Sequence, residues 1–425
     1  MAPAAVRAEA VPAEEAVVAA EAEASPHDQA TDLRLAEASR FRFCSRARRG
    51  GSRGLARGPF GIAVPTKPCV MTFGSKNGAG AAPAGDEMFK ERTVIVVGAG
   101  AGVDYQMPLG SKLVSDIAAD VRFSFGRMGP FEPVTGNAAL FRLLNRRFEG
   151  DRSILSAYAH AGNALASVLS SAISVDDALY QLSETQEAVV LGKLCIVRKI
   201  LEAEAASTIR NADNGRPHNG SGRDGWIEQL FSMATSGVRQ SEMEFAFDKV
   251  TFVIFNYDRC VEHYLYWAFQ RIGIDEGRSA NIVRQLKIIR PYGAIGSILR
   301  DDADFVAYGG ETDPFRAISR IRTYTESDAI HDGATLVQAI LTARMVMFLG
   351  FGFHAQNMEL LKAPELGYRH VMATVKKVHD GNKQAISNEI IRNLRCQEPD
   401  RVALFNMTAP EMLRELRPRI QLTVG

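Results

Sequence analysis

The chain has 425 residues, of which 46% are hydrophobic and 23% charged, and its net charge is +1. Those values exclude a wholly disordered or fibrous protein and leave room for one large α/β domain with extensions, or for two or three ordinary domains. So small a net charge creates no global field, and neither nucleic acid nor a membrane surface is expected as a partner on electrostatic grounds.

Five cysteines, Cys44, Cys69, Cys195, Cys260 and Cys396, form no CxxC pair and no metal-ligand spacing. They predict neither a disulfide framework nor a metal site, and they suit a reducing, cytoplasmic compartment. The longest apolar runs, residues 93–101 and 345–353, fall far short of the roughly 20 residues a membrane-spanning helix needs. The expectation is a soluble protein.

Residues 3–24 are almost entirely Ala, Glu, Val and Pro, and residues 40–57 are dense in Arg, Gly and Ser. Such composition cannot bury enough apolar surface to offset ordering entropy, so disorder is expected over residues 1–90, with a Gly/Ala-rich linker at 74–85. The arginines Arg46, Arg48, Arg49, Arg53 and Arg57 fit a nucleic-acid arm, part of a targeting peptide, or an extension without function upstream of a start at Met71 or Met88. The acidic segment before them is unlike a transit peptide, and no apolar core marks a secretory signal.

Order is expected from Thr93. Thr93-Val-Ile-Val-Val97 is a continuous β-branched run, as in a strand buried on both faces of a parallel sheet. It runs straight into Gly98-Ala-Gly-Ala-Gly102, and after Pro108 the residues Leu109, Leu113, Ile117 and Val121 recur at helical spacing. The unit is strand, Gly-rich turn, helix. Residues 123–244 read as mainly helical, a helical insertion beside or above the sheet, with Ala-rich stretches at 153–173 and 187–206. Within it Ser174-Val-Asp-Asp177 has the form of an N-cap opening a helix over 175–182, and 211–225 reads as a flexible loop.

Strand patterns return at 249–255, 286–289 and 345–349, each ending in small or polar residues: Asn256-Tyr-Asp258, Arg290-Pro-Tyr-Gly293 and Gly350-Phe-Gly352. Helices are expected over 259–271, near 357–361 and over 409–416, and a further strand over 371–375. The expected fold is a Rossmann-like parallel sheet over residues 91–365, with a mixed segment over 366–425 packed on the same domain. In such sheets ligands bind at the C-terminal edge of the strands.

Each motif has a structural reading beside a functional one. The glycines let backbone approach a pyrophosphate and aim helix amides at it, or they make a tight strand-to-helix connection. Asn256 and Asp258 are polar groups at the end of a buried strand, suited to a ribose or nicotinamide contact, while Asp258 equally suits a helix cap. His354 is an acid or base near neutral pH, or a hydrogen-bonded structural residue.

Taken in order, Gly98-Ala-Gly-Ala-Gly-Val103 with Pro108, Ser174-Val-Asp-Asp-Ala-Leu179, Phe255-Asn-Tyr-Asp-Arg259 with Glu262, Pro291-Tyr-Gly-Ala-Ile-Gly296 and Phe348-Leu-Gly-Phe-Gly-Phe-His-Ala-Gln-Asn357 resemble the sirtuin superfamily. The likeness is to its sirtuin-like, NAD-hydrolysing bacterial branch associated with anti-phage defence, and it spans residues 92–361. It implies that Gly98, Ala99, Gly100 and Ala101 cradle the NAD phosphates, with Gly102, Asp104, Pro108, Arg290 and Gly293 counted with the same binding set. Asn256 would orient the nicotinamide-side ribose and the attacking water, and Asp258 would contact the nicotinamide side. Gly350, Gly352 and Asn357 would lie near the adenosine half. The implied reaction splits NAD into nicotinamide and ADP-ribose, with no metal.

The chain departs from that branch at two places. The usual catalytic His falls where Arg290 and Tyr292 stand, and Ser is common where Gly102 stands. Arg is no general base and Tyr is a poor one at neutral pH, although Tyr292 is grouped with Asn256 and Asp258 as a candidate catalytic residue and Asp104 is a candidate substitute base. A protein that binds NAD or ADP-ribose without cleaving it, or a scaffold that keeps only the fold, is the alternative. Deacylation is not expected without paired CxxC units. No second module is recognisable, so regulation is expected through a homo-oligomer or a separately encoded protein.

Overall fold

The computed structural model describes residues 89–126, 133–210, 225–327 and 332–422. All of them belong to the compact unit Ala79–Gly425. The Arg-rich stretch, the linker, both candidate starts and nearly all of the predicted loop at 211–225 lie outside the described residues.

Six strands form one parallel sheet: β1 (Thr93–Val97), β2 (Val250–Ile254), β3 (Lys287–Ile289), β4 (Met345–Leu349), β5 (His370–Thr374) and β6 (Val402–Phe405). Their spatial order is β3-β2-β1-β4-β5-β6, a Rossmann-like arrangement of parallel strands in which the strand order reverses between β1 and β4. β1 sits in register between its neighbours, with Val97 opposite Ile254 on one side and Leu349 on the other.

The continuous apolar strands are explained by burial on both faces. Val94 and Val96 enter one core with Val253, Val346, Phe348 and Val371. Ile95 and Val97 enter the other with Phe252, Ile254, Met347 and Leu349. Alternate side chains serve opposite faces, and each large aliphatic residue buried this way contributes about 1.5–3 kcal/mol.

Helices Gly110–Val121, Arg152–Leu169, Gln186–Ala206 and Asp380–Leu394 cover the first face. Trp226–Thr235, Cys260–Arg271, Glu276–Gln285 and Ala409–Glu415 cover the second. The insertion therefore reaches both faces of the sheet. It also opens with a short antiparallel ribbon, Ser124–Phe125 with Pro133–Thr135, in a segment whose sequence reads as helical.

Ser174 caps the helix Val175–Gln181 as its sequence predicts, its side chain accepting the Asp177 amide. Residues 366–422 supply β5 and β6 and so complete the same sheet. Phe89, inside the predicted disordered extension, is buried in the second core. Among the described residues no helix is long and apolar enough to cross a membrane, and no cluster of three or more His, Cys, Asp or Glu is placed to hold a metal ion.

Candidate functional site

The C-terminal ends of β1 and β4 meet glycine to glycine. The Gly98 amide donates to the Leu349 carbonyl at 3.0 Å and the Gly100 amide to the Gly350 carbonyl at 2.9 Å. A Cβ on Gly98 or Gly100 would stand 2.7 or 2.8 Å from the Gly350 oxygen, so only glycine allows this approach. Two amides of the predicted phosphate cradle are thus directed at protein, and a third, that of Ala101, returns to the Gly98 carbonyl at 3.0 Å. The close-packing reading accounts for these glycines by itself.

The turn continues as a 3-10 helix, Ala99–Tyr105, closed by Gln106 at φ 63°. Pro108, half-buried, leads into helix Gly110–Val121, whose start at Leu109 carries no side-chain cap. The first-turn amides there keep the partial positive charge of a helix start.

Asn256 follows β2 and reaches the end of the neighbouring β1, its Nδ2 donating to the Gly98 carbonyl at 3.2 Å. Its own backbone carbonyl accepts Arg290 Nη1 at 2.9 Å. The rest of that guanidinium is held by Glu262, at 2.7 and 2.8 Å from Nη2. Arg290 therefore ties the ends of β2 and β3 together with its charge already balanced. Asp258 is buried and accepts the Cys260 amide at 3.2 Å, but it lies one residue before Arg259, the N-cap of helix Cys260–Arg271, which carries no side-chain cap. Beneath this loop the fully buried Arg259 pairs with Glu204 and also donates to the Ala307 carbonyl.

Tyr292 is buried at 4% exposure, and its hydroxyl donates to Asn357 Oδ1 at 2.6 Å. Phe255, Tyr257, Tyr292 and Phe351 form an aromatic wall, with Phe255 edge-on to both Tyr292 and Phe351. Gly293 has φ +75°, and a Cβ there would stand 1.9 Å from the Arg320 carbonyl oxygen. Beyond β4, Phe353 holds a left-handed φ of 54°, a strain that collects at functional sites. The exposed His354 folds its ring back over Gly352.

Among the described residues three carboxyl groups are raised above their ordinary values. Burial raises Asp176 to about 6 despite a hydrogen bond from Tyr257. Desolvation also raises Asp104 to about 6, opposed by the Trp226 amide that it accepts. Glu228 is pushed up to about 7 by burial, although Tyr105 Oη donates to it at 2.6 Å.

The structure thus gathers Gly98, Gly100, Gly350 and Asn256 at one joint, links Arg290 to it through the Asn256 carbonyl, and joins Tyr292 to Asn357. Asp104 turns to Trp226. Asp176 and Tyr257 stand beside these residues although sequence reasoning gave neither a role in the site; the residues around Asp176 were read as a cap and as one of the motifs of the resemblance. No protein-family model matches this chain, and no curated protein matches its sequence.

Proposed function

We propose that the crevice at the C-terminal ends of β1 and β4 binds NAD and that the chain hydrolyses its nicotinamide–ribose bond, giving nicotinamide and ADP-ribose. The observation that carries this reading is the joint of Gly98, Gly100, Gly350 and Asn256 at the reversal of strand order. That is the position where open α/β sheets take dinucleotides. With Nδ2 of Asn256 held by Gly98, its side-chain oxygen is the acceptor that can turn to a ribose hydroxyl or a water. Such a cleavage passes through an oxocarbenium-like state and requires positioning, desolvation and an acceptor for the water's proton. A role in stress or anti-phage defence belongs to the same reading and rests on the sequence resemblance.

A second reading, binding of NAD or ADP-ribose without turnover, is favoured by one observation. Tyr292 and Arg290 stand where the resemblance puts a His, and they are engaged with Asn357 and Glu262. The test is nicotinamide release by the purified chain and its Asn256→Ala variant over a protein concentration series. Release that disappears in the variant supports hydrolysis, and a steep rise with concentration supports activation by self-assembly. No release, with NAD still raising the melting temperature by mass action, supports the binder; neither response leaves a scaffold.

A further inference from the structure

Tyr257 and Asp176 come from segments 81 residues apart, and Tyr257 Oη donates to Asp176 Oδ1 at 2.8 Å. Tyr257 follows Asn256 directly, and its ring lies 6.3 Å from that of Tyr292, which in turn holds Asn357. The Asp176 carboxylate therefore belongs to the same wall as the candidate site. The helix it starts on does not need it. Ser174 already caps that helix through the Asp177 amide, and Asp177 takes the Ile173 amide and the Gln181 side chain. The carboxylate is held by the Tyr257 hydroxyl and by its own backbone amide, and its desolvation is a cost that the helix does not require.

We propose that Asp176 is the general base of this crevice, taking the proton of the water that attacks the ribose, with Tyr257 holding its carboxylate in place. The proposal rests on the hydrolase reading above. In the step, the water oxygen forms a bond to the anomeric carbon of the nicotinamide ribose. The bond from that carbon to the pyridinium nitrogen breaks, and its electron pair stays on nitrogen, which makes nicotinamide neutral. The water's proton passes to the Asp176 carboxylate and then to solvent. This supplies the acceptor that an ordinary tyrosine or an arginine cannot provide at neutral pH.

Burial raises the Asp176 carboxyl to about 6, so it is largely ionised at neutral pH yet more basic than an ordinary aspartate. On the elements packed against its helix, Lys112 pairs with Asp116, Lys199 with Asp120, and Lys193 with Glu326. Tyr257 lies directly against the carboxylate, with Tyr292 and Glu326 acting on Tyr257 from behind.

The test measures nicotinamide release by the full chain, by Asp176→Asn and by Tyr257→Phe from about pH 5 to about pH 9, beside the rise in melting temperature given by NAD. The wild-type kcat should show an acid limb near pH 6. Asp176→Asn should lower kcat by at least about 100-fold while NAD still stabilises the fold. Tyr257→Phe removes the bond that favours the ionised carboxylate, so its acid limb should move to higher pH. A kcat for Asp176→Asn within about threefold of wild type, or an unmoved limb in Tyr257→Phe, overturns the assignment and leaves hydrolysis standing. If Asp176→Asn also loses the response to NAD, the limb of Tyr257→Phe decides. A wild-type chain that releases no nicotinamide overturns the assignment and the hydrolase reading together.

Discussion

A Cβ on Gly350 would stand 2.0 Å from the amide nitrogen of Ala101, at a backbone position with φ +57°. The end of β4 and the turn after β1 are therefore locked by a contact between backbones. Gly350→Ala meets both a left-handed conformation and a collision that no rotamer relieves. It should destabilise the fold by about 2–4 kcal/mol, read from the urea midpoint, and should reduce the stabilisation given by NAD. Wild-type values for both would mean that the joint has room to spare.

Glu204 and Arg259 are both buried, at 0% and 1% exposure, and Glu204 also accepts the Gly309 amide at 3.0 Å. Glu204→Gln leaves the guanidinium charged and without its counter-ion in the core. The expected loss is about 3–5 kcal/mol, measured by denaturant unfolding. Nicotinamide release should fall as well, because Arg259 anchors the loop that carries Asn256. A loss below about 1 kcal/mol would mean that the pair is hydrated in solution.

Glu228 gives a pH dependence of known sign. Its carboxyl is raised from the ordinary 4.5 to about 7, chiefly by burial. The folded chain then holds this proton more tightly than the unfolded chain, so the contribution to stability is full below about pH 4.5 and is lost as pH rises through about 7. Glu228→Gln should flatten the change in unfolding free energy between about pH 5 and about pH 8 by on the order of 3 kcal/mol. Asp104 and Asp176 shift in the same direction and are present in both proteins, so the difference between the two slopes reports Glu228 together with its coulombic coupling to Asp104. Equal slopes would place the group in water.

The strands of the sheet centre were legible because double burial demands unbroken apolar runs: residues 93–97 and 345–349 match β1 and β4 residue for residue. β6 escaped notice because its four residues are only half-buried at the sheet edge, where selection for apolar side chains relaxes. The ribbon at residues 124–125 and 133–135 is too short to impose a pattern on a helical neighbourhood. At the site, the glycines and Asn256 announce themselves locally, since small and polar residues at the end of a buried strand are conspicuous. The meeting of Tyr257 with Asp176, or of Tyr105 with Glu228 across 123 residues, leaves no local trace, because a pairing of distant segments has no periodicity.

Tyr292 separates positioning from proton transfer. Its hydroxyl holds Asn357 Oδ1 at 2.6 Å, and its ring packs edge-on against Phe255. Tyr292→Phe keeps the ring and removes the donor, leaving a part-buried amide oxygen to find water. The expected loss of stability is about 1–3 kcal/mol. If Tyr292 only orients Asn357, KM for NAD should rise more than kcat falls, and the acid limb of the pH profile should stay where the wild type has it. A kcat lower by about 100-fold or more, with the limb abolished, would instead make Tyr292 the proton acceptor. The same variant thus distinguishes a tyrosine that has taken over the base's task from one that fills its place in the wall while Asp176, on the helix that meets Tyr257, accepts the proton.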